Sequence, residues 1–304
     1  KGILVIGTVI MSAKECSDNV KETARSKCNY IKHAYGITPT LAVVLVGDDS
    51  ASQVYVRNKS KACDFIGAHF FEKILPADSS LDLILNTIYE LNNNPDIHGI
   101  LVQSPVGNLD YFQTLKVFDS IDPRKDVDGF NSLNRARLLT NSNEWYPKPC
   151  TPLGIYLLLD YYGIDIQGKN VTIIGRSNIV GKPLACLLEN LNATVTLCHS
   201  KTDIQDLKEY CQNSDIIISA VGKAGFVDYS FIGDRTRAIV DVGMNRVDGK
   251  LCGDVDFDSV NDLFQDRYND NWITPVPGGV GLMTVSCLCW NLVKCCERLC
   301  ECES

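Results

Sequence analysis

The chain has 304 residues, 45% hydrophobic and 22% charged, with a formal net charge of −8. That length suffices for one large α/β domain or two of ordinary size. No Lys/Arg run exceeds a couple of residues and no stretch approaches the roughly 20 unbroken apolar residues that span a bilayer, so neither nucleic acid nor a membrane is an expected partner.

The opening run Lys1–Gly7 is too short for a signal peptide and lacks a small-residue cleavage site. It begins at Lys1 rather than Met, which leaves an upstream segment, an organellar address included, open. The apolar spacing predicts a helix over 12–35 ending at Gly36, then the strand Leu41–Val46 closed by Gly47. A helix over 51–66 stops at Gly67, a strand follows near 69–74, and a helix over 79–93 precedes Pro95. The run 97–103 reads as a buried strand stopped by Pro105. Near-continuous apolar strands separated by helices predict a parallel sheet covered on both faces.

Residues 145–152, Trp-Tyr-Pro-Lys-Pro-Cys-Thr-Pro, predict a stiff connector, because proline restricts itself and the residue before it. Thr151 can cap the next helix, Pro152 suits its first position and Gly163 can end it. A second connector is Pro275-Val276-Pro277-Gly278-Gly279, followed by a last helix near 283–302. There are fourteen cysteines, six of them crowded at the end as Cys287, Cys289, Cys295, Cys296, Cys300 and Cys302. A chain of this length does not need disulfide staples, and no histidine follows His199 to complete a common zinc pattern. Packed reduced thiols, no metal, and a reducing, cytoplasmic setting are the expectation.

Between the connectors, Val171–Ile174 runs into Gly175-Arg176-Ser177-Asn178-Ile179-Val180-Gly181 and a helix over 184–191. Strand, glycine turn and helix start together suit a pyrophosphate, although the strict G-x-G-x-x-G is absent and a glycine pair alone also fits an ordinary turn. The next strand, 193–198, ends in His199-Ser200-Lys201-Thr202, with no acid before Asp203. An acid there would hold the ribose hydroxyls of NAD and repel a 2′-phosphate, so Arg176 and Ser200 favour NADP. Strands at 216–221 and 238–242 extend this second sheet.

In the first half, Ser52, Tyr55 and Lys59 share one helical face. Gln103 closes a buried strand, where α/β folds present ligand-binding groups. Asp128 precedes Gly129 in Lys125-Asp126-Val127-Asp128-Gly129-Phe130. Each has an ordinary alternative: a solvated helix face, a strand-end polar residue, an Asp-Gly turn.

In combination, these residues resemble the bifunctional methylenetetrahydrofolate dehydrogenase/methenyltetrahydrofolate cyclohydrolase family. The matching stretches, in the family's order, are Tyr55–Lys59, Gly99–Gln103, Lys125–Phe130, Pro149–Pro152, Gly175–Ser177 with Ile179–Pro183, His199–Thr202, Asp241–Asn245, Gly253–Val255 and Thr274–Gly281. The resemblance implies NADP-linked oxidation of 5,10-methylenetetrahydrofolate and hydrolysis of the methenyl product to 10-formyltetrahydrofolate. It implies that Lys59 moves the proton in hydrolysis, Gln103 holds and tunes it, Tyr55 stacks on folate and Asp128 hydrogen-bonds the pterin. Val102, Pro277, Gly278 and Gly279 complete the implied substrate contacts. Thr151, Gly175, Arg176, Ser177, Ser200, Met244 and Thr284 line the implied cofactor site.

Two α/β domains are expected, with a cleft between them: a catalytic, folate-binding domain over 1–149 completed by 276–304, and a Rossmann-like NADP-binding domain over 150–275. The implied partners are tetrahydrofolate one-carbon derivatives, polyglutamylated forms included, and a second copy in a homodimer. A monofunctional dehydrogenase and a catalytically silent folate- or NADP-binding protein remain as alternatives. A short-chain dehydrogenase is disfavoured, because its Tyr-x-x-x-Lys follows the glycine turn, whereas Tyr55 and Lys59 precede Gly175. Two departures touch the implied folate site: Gln103-Ser104-Pro105-Val106-Gly107 replaces a Gln-Leu-Pro-Leu-Pro turn, and Leu282-Met283-Thr284 replaces Pro-Met-Thr. The Cys-rich last helix is unusual for the family.

Overall fold

The computed structural model describes residues 7–267 and 270–303. In chain order its elements are β1 (Gly7–Ile10), α1 (Lys14–Tyr35), β2 (Thr40–Val46), α2 (Ser50–Ile66), β3 (His69–Leu75), α3 (Leu81–Asn93) and β4 (Gly99–Val102). Then come α4 (Tyr111–Ser120), α5 (Ser132–Leu139), α6 (Cys150–Tyr161), β5 (Asn170–Ile174), α7 (Gly181–Asn190), β6 (Thr194–Cys198) and α8 (Ile204–Gln212). The rest are β7 (Ile216–Ser219), β8 (Ala238–Asp241), the hairpin β9 (Asn245–Val247) and β10 (Lys250–Cys252), α9 (Phe257–Gln265), β11 (Asp270–Ile273) and α10 (Val280–Glu303).

The chain divides into two compact units. One, residues 18–150 with 285–303, is built on the parallel sheet β3-β2-β4. In β2, Ala42, Val44 and Val46 enter a core with Ile84, Ile88, Ile100 and Phe118, while Leu41, Val43 and Leu45 are buried on the opposite face. Burial on both faces is why β2 reads as an unbroken apolar run, each such side chain contributing roughly 1.5–3 kcal/mol. Local signals set the helix ends. Asp49 accepts from Ser52 N at the start of α2, Gly67 ends it in the left-handed region (φ 77°), and Asp110 with Gln113 forms a capping box on α4. The Lys125 amine caps the other end of α3, donating to the carbonyls of Asn92 (2.8 Å) and Asn94 (2.9 Å), where the helix dipole favours a cation.

The other unit, residues 7–17 with 151–284, is built on a six-stranded sheet of order β1-β11-β8-β7-β5-β6. All its pairings are parallel. Ile216 and Ile218 of β7 belong to one apolar cluster and Ile217 to the other, so helices cover both faces. β6 lies on one side of β5 and β7 on the other. The order therefore reverses at the carboxyl end of β5, the place where open α/β sheets bind ligands.

This division differs from the boundaries expected from the two connectors. Residues 7–17 join the six-stranded unit because β1 pairs with β11 in register from Gly7–Asp270 to Ile10–Ile273, and Met11 N continues to Ile273 O at 2.8 Å. Residues 276–284 stay with that unit too, where Val280 packs in its core. The remainder of α10, from Val285 on, belongs to the three-stranded unit.

None of the fourteen cysteines is joined in a disulfide, and only Cys302 is exposed. Among the described residues one helix, Val280–Cys302, is long and apolar enough to cross a membrane, but 67% of its most apolar window is buried in the fold. Packing thus accounts for its apolarity.

Candidate functional site

On α2, Ser52, Val56, Cys63 and Ile66 are buried. With Lys59 between them, their spacing of four, three, four and three residues defines the stripe a helix turns toward a core. Lys59 therefore places an amine within an apolar stripe, which is not the solvated helix face that Tyr-x-x-x-Lys usually marks. Tyr55 sits at the edge of the stripe, 43% exposed.

The Lys59 amine donates to Gln103 Oε1 at 2.6 Å. Gln103 is aimed from both ends: its backbone N–H donates to Val44 O (2.9 Å), continuing the β2–β4 ladder, and its side-chain Nε2 donates to Ser104 O (2.9 Å). That second bond fixes which amide atom faces the lysine. Asp128 completes the cluster beside the buried Cys150, whose thiol donates to the Val127 carbonyl at 3.4 Å. Burial pushes the Lys59 pKa down, against the pull of the Asp128 carboxylate. Burial pushes the Asp128 pKa up, against the pull of Lys59 and Cys150. Desolvation moves both toward their neutral forms, the condition of a proton-transfer site. Val102, at the end of β4, is 3% exposed and its side chain belongs to the core, so it offers a ligand only its backbone.

The neighbouring Asp126 has a different task. Its carboxylate accepts from Phe130 N, Asn131 N and Asn134 Nδ2 at 2.8–3.2 Å and shapes the loop that carries Asp128. Burial raises its pKa to about 6.

In the six-stranded unit, β5 and β6 pair Ile174 with Cys198. Arg176 and Ser200 each lie two residues beyond those paired ends, and both are exposed. Gly175 has φ 118°, and a Cβ there would overlap the Ala220 carbonyl; a Cβ on Gly181 would overlap that of Gly175. The two glycines thus let the turn after β5 fold onto the start of α7. Ser177 Oγ accepts from Val180 N (3.1 Å) and Gly181 N (3.4 Å) at that helix start. Asp203, the first acid after β6, caps α8 by accepting from Gln205 N. An exposed guanidinium, a hydroxyl and a glycine turn, with no carboxylate at the strand end, fit a phosphorylated dinucleotide.

Other sequence-selected residues of this unit fall as follows. Thr151 is in the first turn of α6, because the helix starts at Cys150; its hydroxyl bonds that of Thr284 at 3.0 Å instead of capping. Met244 is exposed near Gly281. Pro277 follows a cis peptide, Gly278 has φ 106° and its carbonyl accepts from Ala13 N (2.9 Å), and Gly279 closes the turn before α10. Asp241 and Asp254, from two of the matching stretches, are buried acceptors of backbone N–H groups and hold β8 to the loop after β10.

Two residues near the amine had been given no role. Cys150 is buried behind Asp128, and Asn291 of α10 is buried behind Cys150, donating to Val127 O and Lys148 O. A lone amide inside the apolar run Cys287–Val293 is the signal that could have drawn attention to it.

The profile of the tetrahydrofolate dehydrogenase/cyclohydrolase catalytic domain matches residues 11–128, and that of the family's NAD(P)-binding domain matches 149–300. The bifunctional protein FolD of Halalkalibacterium halodurans is 44% identical over 289 residues, covering 95% of this chain and 99% of that protein. The one from Campylobacter concisus is 46% identical, covering 93% and 96%. The crystal structure of the Campylobacter jejuni bifunctional FolD superposes with a TM-score of 0.89 at 39% identity, covering 96% of this chain and 100% of that one. The Trypanosoma brucei dehydrogenase-cyclohydrolase, complexed with NADP and an inhibitor, gives 0.87 at 32% identity, covering 96% and 98%.

Proposed function

This chain belongs to the tetrahydrofolate dehydrogenase/cyclohydrolase family and is a bifunctional enzyme of one-carbon metabolism; from that premise we propose which residues carry each reaction and that the cofactor is NADP. The reactions are oxidation of 5,10-methylenetetrahydrofolate to the methenyl cation and hydrolysis of that cation to 10-formyltetrahydrofolate.

Arg176 and Ser200 hold the 2′-phosphate, since they stand at the paired ends of β5 and β6 and the nearest acid, Asp203, is engaged as a helix cap. The turn at Gly175 and Ser177 and the start of α7 take the pyrophosphate. Thr151, Met244 and Thr284 line the same unit's ligand face. When bound, NADP⁺ supplies the two-electron acceptor for the oxidation.

In hydrolysis the C–N5 bond breaks after water adds to the methenyl carbon, N5 leaving with the electron pair and taking the hydroxyl proton, while the adding water must first lose a proton. The neutral Lys59 amine accepts it, Gln103 fixes that amine, Asp128 hydrogen-bonds the pterin and Tyr55 stacks on it. The observation that carries this reading is the 2.6 Å bond from a desolvated lysine to an amide oxygen oriented by its own backbone anchor. A spectrophotometric assay with methylenetetrahydrofolate and NADP⁺ tests it. The parent should form NADPH without accumulating the methenyl species, whereas Lys59→Ala should accumulate it. Unchanged hydrolysis by Lys59→Ala would refute the assignment.

The buried free thiols favour a reducing, cytoplasmic setting. The partner we infer is a second copy of the chain, meeting along β3. That outer strand of the three-stranded sheet exposes Phe71 (44%) and Ile74 (60%).

A further inference from the structure

We propose that Asn291, on the Cys-rich last helix, is a positioning residue for Asp128, acting by tying the Val127 carbonyl beside it to the Lys148 carbonyl of the following connector. The inference rests on the reading of Asp128 as a pterin contact.

Asn291 is 1% exposed, among apolar and thiol side chains where a leucine would cost less. Its amide has two N–H groups, and both are used: one meets Val127 O at 2.8 Å, the other Lys148 O at 2.9 Å. Val127 immediately precedes Asp128, and Lys148 lies two residues before Cys150. One side chain thus ties the loop carrying the carboxylate to the connector carrying the thiol.

The same two segments are pressed together at Gly129, where a Cβ would lie 2.7 Å from Pro149 N and 2.8 Å from Pro147 O. On the other side, Val127 packs so close to Gly99 that a Cβ on that glycine would lie 2.5 Å from Val127 Cγ1 and 2.7 Å from Leu292 Cδ1. The loop has no slack, so the bonds to its carbonyls decide where Asp128 points.

The Val127 carbonyl has two lone pairs and accepts twice, from Asn291 Nδ2 at 2.8 Å and from the Cys150 thiol at 3.4 Å. Asn291 Nδ2 also meets Cys150 Sγ at 3.7 Å. Asn291 and Cys150 thus hold the same carbonyl, the amide by the shorter bond. Removing Asn291 leaves Val127 O with the thiol alone, and Asp128 loses the stronger half of its backbone anchor.

The test uses the full chain with Asn291→Ala, Cys150→Ala, the double variant and Asp128→Asn. Folding is checked by thermal melts, and KM for methylenetetrahydrofolate and for NADP⁺ is measured separately from kcat. Asn291→Ala should raise the folate KM about tenfold while the NADP⁺ KM stays within about twofold, as expected for loss of a hydrogen bond to a charged group. The double variant should be no worse than the poorer single one, because both changes release the same Val127 carbonyl. A folded Asn291→Ala with the parental folate KM, or with only a lower kcat, overturns the proposal in favour of a packing role. If Asn291→Ala does not melt cooperatively, Asn291→Ser, which retains one donor, should give an intermediate KM, and a parental value there overturns it equally. If Asp128→Asn itself leaves the folate KM unchanged, the reading of Asp128 fails, and not the placement of Asn291.

Discussion

The Lys59 amine and Gln103 Oε1 are 2.6 Å apart, and the amide is held in that orientation by its own bond to Ser104 O. A neutral acceptor therefore faces the base. Gln103→Glu would keep the geometry and replace it with an anion, which favours the ammonium form. Hydrolysis of methenyltetrahydrofolate at pH 7 should fall by roughly tenfold to a hundredfold, the loss expected when a general base is held protonated. The dehydrogenase step should fall less. Stopped-flow measurement of the two steps separately checks this, and equal losses in both would contradict it.

Burial lowers the Lys59 pKa below its ordinary 10.5, while Asp128 opposes the shift. The active form is the neutral amine, so kcat for hydrolysis should rise with pH and level off at a midpoint below 10.5. Asp128→Asn removes the opposing carboxylate, and at saturating folate the midpoint should move further down. A pH profile over both variants decides it; an upward shift would mean that Asp128 does not act on the amine.

The sequence revealed this arrangement unevenly. The β2 run, Gly67, Gly163 and the turn at Gly175 were legible because a buried strand needs apolar residues on both faces and a left-handed turn needs glycine. Lys59 was legible as a residue but not as an environment: the stripe Ser52-Val56-Cys63-Ile66 that desolvates it is visible only once its buried face is known. The place of β1 beside β11 was hidden, because that pairing joins Gly7 to Asp270 across most of the chain and leaves no local pattern. Helices α4 and α5 span only ten and eight residues and bury just two side chains each, Val117 and Phe118 in one and Asn134 and Leu138 in the other, too few to set a helical period. Asn291 and Cys150 were out of reach for the same reason as β1: their partners, Val127 and Lys148, are far from Asn291 in sequence.

Arg176 and Ser200 stand beyond strand ends that pair in register. If they grip a 2′-phosphate, Arg176→Ala should lower kcat/KM for NADP⁺ by about tenfold to a hundredfold, the scale of a charge-assisted contact. The value for NAD⁺ should barely change. Initial rates with both cofactors measure the preference directly, and an unchanged ratio would remove the 2′-phosphate argument.

Pairing between two copies of β3 makes a prediction that does not depend on the active site. An antiparallel strand pair about a two-fold axis sets one residue opposite its own copy, so every other contact across it occurs twice. Phe71, Glu72, Lys73 and Ile74 are all exposed in the isolated chain, Phe71 and Ile74 on opposite faces of the strand. Replacing Phe71 and Ile74 together by lysine removes the apolar contacts from both faces and adds like charges across the axis, each cross-strand pair being worth about 0.2–1 kcal/mol. Dimerisation should weaken by roughly tenfold to a hundredfold in Kd. Sedimentation equilibrium across protein concentrations compares this double variant with the parent. A Phe71→Lys, Ile74→Lys chain that dimerises as tightly as the parent would place the contact elsewhere.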